Sequence, residues 1–411
     1  MEALADAQRR IVDAVRPLAP RELAIRDAHG LVLAQEVAAI EPVPPFANTA
    51  MDGYAVRAVD TDGASPTTPV RLRVVDELPA GRAPSVPVDT GEAIRIMTGA
   101  PVPPGADAIV MVERTEVDGD AVLVREPARR GDHVRPVGGD VGAGAVVFGP
   151  GAVLGAAHIG VLASLGVETV LAHPTARVGV LSTGDELVES GPLAPGQIRD
   201  SNRAMLLALV AENGAVPVDL GLARDDEAAI TSAITAGLES CDALLTTGGV
   251  SVGDFDYVKV VLERLASERP DSGFVWSQVA IKPAKPLAFG TIGGVPVFGL
   301  PGNPVSSHVS FELFARPALR RMTGHRHWFR PELTAVAADD LTRRRDGKLH
   351  LDRVRVWSDR GRLVCARSGA QGSNVLSAMA AANGLALLDD GEGVERGGSV
   401  RVLLLGEPFT S

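Results

Sequence analysis

The sequence predicts an α/β protein of several domains, whose largest part is a parallel sheet covered by helices. The chain has 411 residues, more than one ordinary hydrophobic core accommodates. Between about 175 and 325, apolar strand-like runs alternate with segments of helical periodicity, as in parallel sheets. The flanking segments contain short strand-like runs interrupted by Gly and Pro.

The N-terminal part of the chain predicts a β-rich domain between two helical segments. Apolar residues repeat at helical spacing over 1–18 and 151–166, and the second segment ends at Gly166, a residue type that commonly terminates helices. Between them lie strand-like runs such as Val70–Val75. We therefore predict a helical linking domain and a β-rich insert domain, formed by 1–40 plus 145–173 and by 41–144.

The alternating part predicts an α/β domain over 174–325. Four buried strands are expected, each followed by a loop and a helix: Val178–Leu181, Ala215–Leu220, Ala243–Thr246 and Val295–Leu300. After about 326 the helical periodicity stops, and strand-like alternation returns. We predict a C-terminal β-barrel domain over 326–411.

Composition and charge exclude several classes of function. A hydrophobic content of 45% with 22% charged residues is typical of globular proteins. A net charge of −11 argues against a nucleic-acid partner. No apolar run approaches the roughly 20 residues that span a bilayer, and the N-terminus does not resemble a signal peptide. The two cysteines, Cys241 and Cys365, lack metal-ligand spacing. We expect a cytoplasmic protein without a membrane partner.

Three loops after predicted strands combine Gly with hydroxyl or amide side chains. They are Ser182–Leu187, Thr246–Gly253 and Leu300–Ser306. Gly lets the backbone approach a ligand closely, and successive N–H groups form a concavity that binds anions. One such loop is more often a simple strand-to-helix connection, but three at neighbouring strand ends favour a phosphate-bearing ligand. The candidate ligand-binding residues are Thr183, Gly184, Gly248, Gly249, Ser251 and Asn303.

Charged residues accompany these loops. Carboxylates near a phosphate site are typical of a hard divalent cation such as Mg²⁺, and the candidates are Asp185, Glu186, Asp225, Asp254 and Asp256. Asp225 has an alternative interpretation as a helix N-cap, and Asp254 as a solvent-facing residue. Lys282 and Lys285 stand in a Pro-stiffened segment, which favours anion binding over a purely solubilising role.

Three further motifs lie in the insert: PPFANTAMDGYAV (44–56), RIMTGAP (95–101) and RPVGGD (135–140). Taken alone, each is typical of an ordinary turn. Together with LSTGDEL, TTGGVSVGDFDY, IKPAKP and LPGNPVS, they resemble the MoeA proteins and the gephyrin E domain, in the same order. The resemblance extends from the first helix to Gln371-Gly372-Ser373.

The resemblance implies an activity and an architecture. MoeA proteins insert molybdate into adenylated molybdopterin, release AMP and depend on Mg²⁺. They are elongated homodimers of four-domain chains. Their α/β domain is MoaB/Mog-like and resembles the separate molybdopterin adenylyltransferases. We also expect a transient contact between this protein and such an adenylyltransferase. The active site is expected between this domain of one subunit and the insert of the other.

Roles follow from the motifs by resemblance. The expected catalytic acids are Asp52, Asp140, Asp225 and Asp256, and the expected Mg²⁺-positioning acids are Asp185, Glu186, Asp225 and Asp256. Ser251 with Gly248 and Gly249 would hold the terminal phosphate, and Pro301 and Pro304 would shape their loop. The complete set expected to bind the substrate is Thr183, Gly184, Gly248, Gly249, Ser251, Lys282, Lys285, Pro301, Asn303, Arg135 and Arg353.

The chain departs from the family pattern at three positions. Ala47 stands where Asp is usual, Gly139 where Glu is common and Asn374 where His is common. None of these removes an acid expected to be central. The sequence also bears on two other functions. An adenylyltransferase is disfavoured by the insert and the C-terminal domain, and a scaffold by the absence of a long linker or a second molybdopterin-binding domain.

Overall fold

The computed structural model describes residues 1–248, 257–407 and 409–410. Internal contacts divide the chain into two compact units. The first unit comprises Met1–Arg21, Gly30–Ala34 and Leu171–Ser411, and the second comprises Glu22–His29 and Gln35–Val170. In the described part of the chain, no helix has the length and apolar character needed to cross a membrane.

A six-stranded sheet forms the centre of the first unit. Its strands in chain order are β1 (Arg177–Thr183), β2 (Val216–Ala223), β3 (Ala243–Thr247), β4 (Gly273–Gln278), β5 (Pro286–Ile292) and β6 (Val295–Leu300). Their spatial order is β2-β1-β3-β6-β5-β4. Helices follow the first three strands: α1 (Ser201–Glu212), α2 (Glu227–Ser240) and α3 (Tyr257–Ser267).

The predicted parallel sheet is confirmed, and two antiparallel strands extend it at one edge. Strands β2, β1, β3 and β6 are parallel, as expected. Strands β5 and β4 are antiparallel additions that the sequence pattern did not predict. The turn between β5 and β6 consists of Gly293 and Gly294, with φ of 59° and 82°. Two consecutive positive φ values are typical of tight hairpin turns, which reverse the chain directly.

Alternating side chains of the inner strands fill two separate cores. Val178, Val180 and Leu245 belong to one buried cluster, whereas Leu181 and Leu244 belong to the other. This alternation is the period of two expected for a strand buried on both faces. The inner strands are therefore fixed from both sides, and their ends form a rigid base for the loops.

The helix that was expected after β6 is present but interrupted. An α-helix spans Pro304–Ser310, a π-helical turn spans Phe311–Ala315, and an α-helix resumes over Arg316–Met322. Buried Glu312 in the π-helical turn accepts two hydrogen bonds from Arg330, at 2.8 and 3.0 Å. At the chain's N-terminus, the predicted helix spans Leu4–Ala14.

The C-terminal region of the first unit is a closed five-stranded barrel, which confirms the predicted β-barrel. The barrel strands are Glu332–Ala337, Leu349–Asp359, Arg362–Arg367, Gly384–Leu388 and Ser399–Leu404. The long strand Leu349–Asp359 closes the barrel because it pairs with both Arg362–Arg367 and Gly384–Leu388. Its first residues also pair in parallel with Ile281–Lys282.

The second unit is built around another six-stranded sheet. In spatial order, its strands are Ala108–Met111, Gly53–Val56, Glu92–Ile96, Val70–Leu78, Ala121–Val124 and Thr115–Asp118. Smaller pairs join Asn48–Thr49 to Val134–Arg135 and Val37–Ala38 to Val146–Phe148, and a helix spans Ala156–Ser164. The four-domain division, with the grouping of two helical segments into one linking domain, stays a prediction.

Further short elements occur in the described residues. They are the strands Arg21–Ala24, Val32–Leu33, Thr169–His173, Leu187–Val188, Ile198–Arg199, Leu341–Thr342, Gly393–Val394 and Phe409–Thr410, and the helix Leu376–Ala380.

The antiparallel edge offers a test of the strand packing. A Cβ atom on Gly290 would collide with the carbonyl oxygen of Gly273 and lie 2.8 Å from Cα of Phe274. Overpacking of this kind costs about 1–3 kcal/mol. We expect Gly290→Ala to lower the temperature of the first unit's unfolding transition in calorimetry. Gly273→Ala is the matched control, because its Cβ would meet no atom within 4 Å. Equal transition temperatures for the two variants would contradict this packing.

Candidate active site

The carboxyl ends of β2, β1, β3 and β6 form one edge of the sheet, the edge where ligands of such sheets bind. Backbone hydrogen bonds join neighbouring loops along this edge. The N–H of Gly184 donates to the carbonyl of Ala223 at 3.3 Å, and that of Gly248 donates to the carbonyl of Leu300 at 3.2 Å. The start of the first loop therefore lies beside the end of β2, and Gly248 lies beside the start of the third loop.

Two glycines at this edge have backbone conformations that favour Gly. Gly184 has a φ of 145° and Gly248 a φ of 88°. A Cβ atom on Gly248 would lie 2.9 Å from the carbonyl oxygen of Thr183 and 3.1 Å from its Oγ1. The hydroxyl of buried Thr183 donates to the carbonyl of Thr247 at 3.4 Å. Thr183, Gly184 and Gly248 thus lie together, and the close contact between Gly248 and Thr183 leaves no room for a side chain at Gly248.

Asp185 and Asp225 are held next to each other by reciprocal hydrogen bonds. The N–H of Asp185 donates to Oδ2 of Asp225 at 3.4 Å, and the N–H of Asp225 donates to Oδ1 of Asp185 at 3.2 Å. The alternative interpretation of Asp225 as a helix cap is wrong. Asp226 caps α2 instead, accepting the N–H of Ala229 at 2.8 Å. Two exposed carboxylates therefore remain adjacent at the junction of β1 and β2.

The four acids predicted to position a metal ion do not all lie at one place in the described structure. Asp185 and Asp225 are adjacent, and the carboxylate of Glu186 lies against Gly184, 2.5 Å from where a Cβ atom would stand. Within residues 1–248 and 257–407, no three His, Cys, Asp or Glu side chains converge on one metal position. Asp256 lies outside the described residues, as do Gly249, Ser251 and Asp254. Their roles stay predictions.

The structure reveals a contributor that sequence reasoning missed, the start of α1. Asp200 accepts the hydroxyl of Ser182 at 3.0 Å and caps the helix by accepting the N–H of Arg203 at 3.2 Å. The side chain of Asn202 donates to the carbonyl of Gly302 at 2.7 Å and to Oγ1 of Thr247 at 3.4 Å. The sequence signal for this helix start is Asp200-Ser201, because both residue types are favoured at helix N-termini.

The third loop leads into a helix. Pro301 is buried, which fits a shaping role, and Asn303 is exposed at the position that precedes the helix Pro304–Ser310. The predicted lysines lie further along the same unit. Lys282 is exposed and pairs through its backbone with His350 of the barrel, while the carbonyl of half-buried Lys285 accepts the N–H of Val279 at 2.8 Å.

A basic cleft of about 510 Å³ lies between Lys282 and the barrel. Five cationic side chains and two carboxylates line it, which leaves a net charge of +3 when His350 is neutral: Lys282, Arg343, Arg344, Arg353, Arg367, Asp346 and Asp352. Asp346 lies 2.9 Å from Arg343, and Asp352 lies 2.6 Å from Arg367. The local charge is therefore opposite to the net charge of −11. We refer to this feature as the basic cleft.

Arg353 is the most unusual cation of the basic cleft. It is only 1% exposed, and burial lowers its pKa. Its terminal nitrogen donates to the carbonyls of Ala370 and Gly372 at 2.9 and 3.0 Å, but among the described residues its Nε has no partner. The nearby carboxylate of Asp352 offsets part of the effect of burial on this charge.

Three candidate residues, Asp52, Arg135 and Asp140, belong to the predicted insert domain. Exposed Asp52 accepts two hydrogen bonds of 2.6 Å from Thr98, one from the hydroxyl and one from the backbone N–H. Both bonds lower the pKa of Asp52, and the bond from the hydroxyl contributes most. The backbone of Arg135 pairs with Asn48, and the N–H of Asp140 donates to the carbonyl of Val43 at 3.0 Å. Thr98 lies in the RIMTGAP motif, and only the structure shows its contact with Asp52.

Family models match most of the chain. The model described as "MoeA N-terminal region (domain I and II)" matches residues 3–166. The model "Probable molybdopterin binding domain" matches 179–321, and "MoeA C-terminal region (domain IV)" matches 334–405.

Named relatives and solved structures agree with these models. The chain is 41% identical over 386 residues to molybdopterin molybdenumtransferase 2 of Mycobacterium tuberculosis, covering 94% of this chain and 95% of the relative. It is 36% identical to the molybdopterin molybdenumtransferase of Haemophilus influenzae, covering 96% and 95%. The solved structure of the molybdopterin biosynthesis moea protein from Pyrococcus horikosii superimposes with a TM-score of 0.82 at 30% identity, covering 98% and 99%.

The Thr98–Asp52 contact predicts a measurable pKa shift. Because the folded-state pKa of Asp52 is lowered, the contact stabilises the fold above the ordinary carboxyl pKa. This stabilisation is lost as the pH falls through the folded-state pKa. We expect Thr98→Val to raise the pKa of Asp52 toward its ordinary value, measured by NMR titration of the carboxyl carbon. The control is Thr115→Val, whose hydroxyl donates to the carbonyl of Val112. An unchanged titration of Asp52 in Thr98→Val would refute the contact.

Proposed function

The chain belongs to the MoeA family, and from this premise we propose that it is a molybdopterin molybdenumtransferase. The reaction inserts molybdate into adenylated molybdopterin and releases AMP. The observation that carries the proposal is the strand-end edge of the α/β domain. There, the Gly-containing loop that follows β1 carries Asp185, whose carboxylate lies next to that of Asp225, and the loops after β3 and β6 begin at the same edge.

The phosphates of the adenylated substrate are proposed to bind the Gly loops. Thr183, Gly184 and Gly248 would form the frame of this site, because Gly184 and Gly248 have conformations that favour Gly while their N–H groups and the hydroxyl of Thr183 already donate to carbonyls of the protein. Predicted Gly249 and Ser251 would extend the same loop, and Asn303 offers an exposed amide at the third loop. The donors proposed to contact the phosphoanhydride are therefore the amide of Asn303 and, as predicted from the sequence, the groups of Gly249 and Ser251.

The donor set at the β1–β2 junction fits Mg²⁺. This ion is usually held in proteins by one or two carboxylates, with water and substrate phosphates completing its coordination. Asp185 and Asp225 supply two carboxylates, with Glu186 and Asp256 as further candidates. When bound, Mg²⁺ would polarise the phosphoanhydride. The two aspartates would hold the ion, and their reciprocal backbone bonds would keep both carboxylates oriented.

The basic cleft is proposed to receive molybdate, an oxyanion. Lys282 is exposed there, and Arg353 presents a buried guanidinium whose polar contacts are neutral carbonyls. An entering anion would compensate that buried charge. Lys285 and Arg135 are proposed as further contacts to anionic groups of the substrates.

We further propose a homodimer in which the insert of one subunit serves the strand-end site of the other. In this proposal, Asp52 and Asp140 orient the water or oxyanion that attacks, while Asp225 and Asp256 act from the α/β domain. Thr98 keeps Asp52 ionised to lower pH by donating two hydrogen bonds. The enzyme is proposed to work in the cytoplasm and to receive its substrate in a transient contact with a molybdopterin adenylyltransferase, which crosslinking of the purified pair would test.

AMP release from adenylated molybdopterin, measured against molybdate concentration with Mg²⁺ present, tests the activity. We expect molybdate to stimulate release. Lys282→Gln should raise the half-saturating molybdate concentration by about tenfold, because it removes one charge-assisted contact. Asp185→Asn should lower the maximal rate by about a hundredfold.

The matched lysine control for this assay is Lys259→Gln. In the wild type, Lys259 of α3 lies over the ring of Trp276 in β4. This variant should leave the molybdate dependence unchanged. Lack of AMP release by folded wild-type protein would refute the proposed activity. Formation of adenylated molybdopterin from ATP would favour an adenylyltransferase instead.

Mixing of inactive variants tests the shared site. Asp52→Asn and Asp185→Asn alter opposite sides of the proposed site, so a mixed dimer contains one intact site of two. Random exchange should restore about a quarter of wild-type activity. Mixing Asp52→Asn with Asp140→Asn is the control and should restore none, because both variants alter the insert side. No recovery in proven mixed dimers would contradict a site shared between subunits.

A further inference from the structure

The side chain of Asn202 occupies a central position among the strand-end loops. Asn202 is the second residue of α1 and is only 7% exposed. Its Nδ2 donates to the carbonyl of Gly302 in the third loop and to Oγ1 of Thr247 at the end of β3. One carboxamide therefore joins a helix start, a strand end and a loop. The 2.7 Å contact with a carbonyl assigns the nitrogen to that side of the amide.

The contacts of Asn202 continue toward the first loop. The carbonyl of Thr247 accepts the hydroxyl of Thr183, and Gly248 packs against the carbonyl of Thr183. A single path of hydrogen bonds thus runs from Gly302 through Asn202 and Thr247 to Thr183. The backbone pairing of β1, β3 and β6 ends at Ser182, Thr247 and Leu300, so Asn202 supplies the side-chain link that continues beyond it to Gly302.

The helix start that carries Asn202 is itself anchored. Asp200 caps α1 and accepts both the hydroxyl of Ser182 and Nε of Arg203. Arg203 also donates to Asp219 at 2.7 Å and pairs with Glu189. The backbone of Asn202 is fixed by these bonds, so its side chain acts from a rigid frame.

The amide retains one unmet hydrogen-bonding group. In the part of the chain that the structure describes, Oδ1 of Asn202 is buried and accepts no hydrogen bond. Buried polar atoms are paired in the large majority of cases, because leaving one unpaired lowers stability. A leucine or methionine at this position would avoid that cost but could not donate to Gly302 and Thr247. The two hydrogen bonds donated by Nδ2 therefore explain why position 202 has a carboxamide side chain.

We propose that Asn202 is a positioning residue that sets the spacing of the phosphate-binding loops. The proposal rests on the proposed function of those loops. Asn202 holds Gly302 against the end of β3, and this fixes Asn303 relative to Gly248 and Thr183. It need not touch the substrate. Its loss widens the loop arrangement and weakens ground-state binding of phosphate, while the acids at the β1–β2 junction keep their geometry.

Asn213 provides a matched control on the same helix. It follows the last residue of α1, where its Nδ2 donates to the carbonyl of Leu209 and its Oδ1 accepts Nε of Arg316, both at 2.7 Å. Asn213→Ala removes a hydrogen-bonded carboxamide from the opposite end of α1. A purely structural role for Asn202 predicts that the two alanine variants behave alike.

The experiment measures AMP binding by calorimetry, the KM and kcat for adenylated molybdopterin, and the unfolding temperature. Asn202→Ala should raise the Kd for AMP and the KM by about tenfold, with kcat changed less than threefold. Asn213→Ala should lower the unfolding temperature and leave Kd and KM unchanged. Asn202→Asp keeps the shape of the side chain but replaces its donor by a carboxylate oxygen facing Gly302. It should raise both constants at least as much.

The outcomes separate this proposal from the proposed function. Unchanged Kd and KM in a folded Asn202 variant would overturn the positioning role, whatever the stability change. If Asn202→Ala does not fold, Asn202→Asp decides by the same constants. Weaker AMP binding in an otherwise inactive protein would support the positioning role and refute the transferase. No AMP binding by wild type would overturn both.

Discussion

The parallel register of β2, β1, β3 and β6 is the constraint on which the candidate site depends. Parallel strands end at the same edge of a sheet, so loops distant in sequence become neighbours. Both faces of the inner strands are buried, with Val180 and Leu181 in different cores. A one-residue slip of a strand would exchange these faces, so the packing fixes the register. The hydrogen bonds from Gly184 to Ala223 and from Gly248 to Leu300 then follow from that register.

Charge is distributed unevenly over the molecule, and this fits an enzyme with anionic substrates. The net charge is −11, yet the basic cleft has a net charge of +3. At the strand ends, Asp185 and Asp225 are adjacent despite their like charges. Each carboxylate accepts the other residue's backbone N–H, which offsets part of the repulsion, and a divalent cation would offset the rest. The cationic side chains of the basic cleft and the pair of acids at the strand ends thus occupy separate places.

Buried polar groups connect the site to the framework around it. Asp200 and Asn202 link the start of α1 to three strand ends, and Arg353 inserts a buried guanidinium beside the basic cleft. Such groups stabilise a fold less than apolar side chains of similar size would. Their directional hydrogen bonds, however, fix the relative positions of loops, which apolar contacts do less specifically. The site therefore depends on polar bonds made one or two residues away from the predicted ligand contacts.

The sequence by itself determined the alternation of strands and helices, the Gly loops after β1, β3 and β6, and the C-terminal barrel. These features appear as local periodicity and local turn chemistry, which each segment carries alone. It did not determine the antiparallel strands β4 and β5, or whether Asp225 or Asp226 caps α2. Only the tertiary structure brought Asn202 to Gly302, Thr98 to Asp52 and Lys282 to His350. Thr98 and Asp52 are 46 positions apart in the sequence, and Asn202 and Gly302 are 100 positions apart. Such contacts depend on strand register and loop path, which no local pattern encodes.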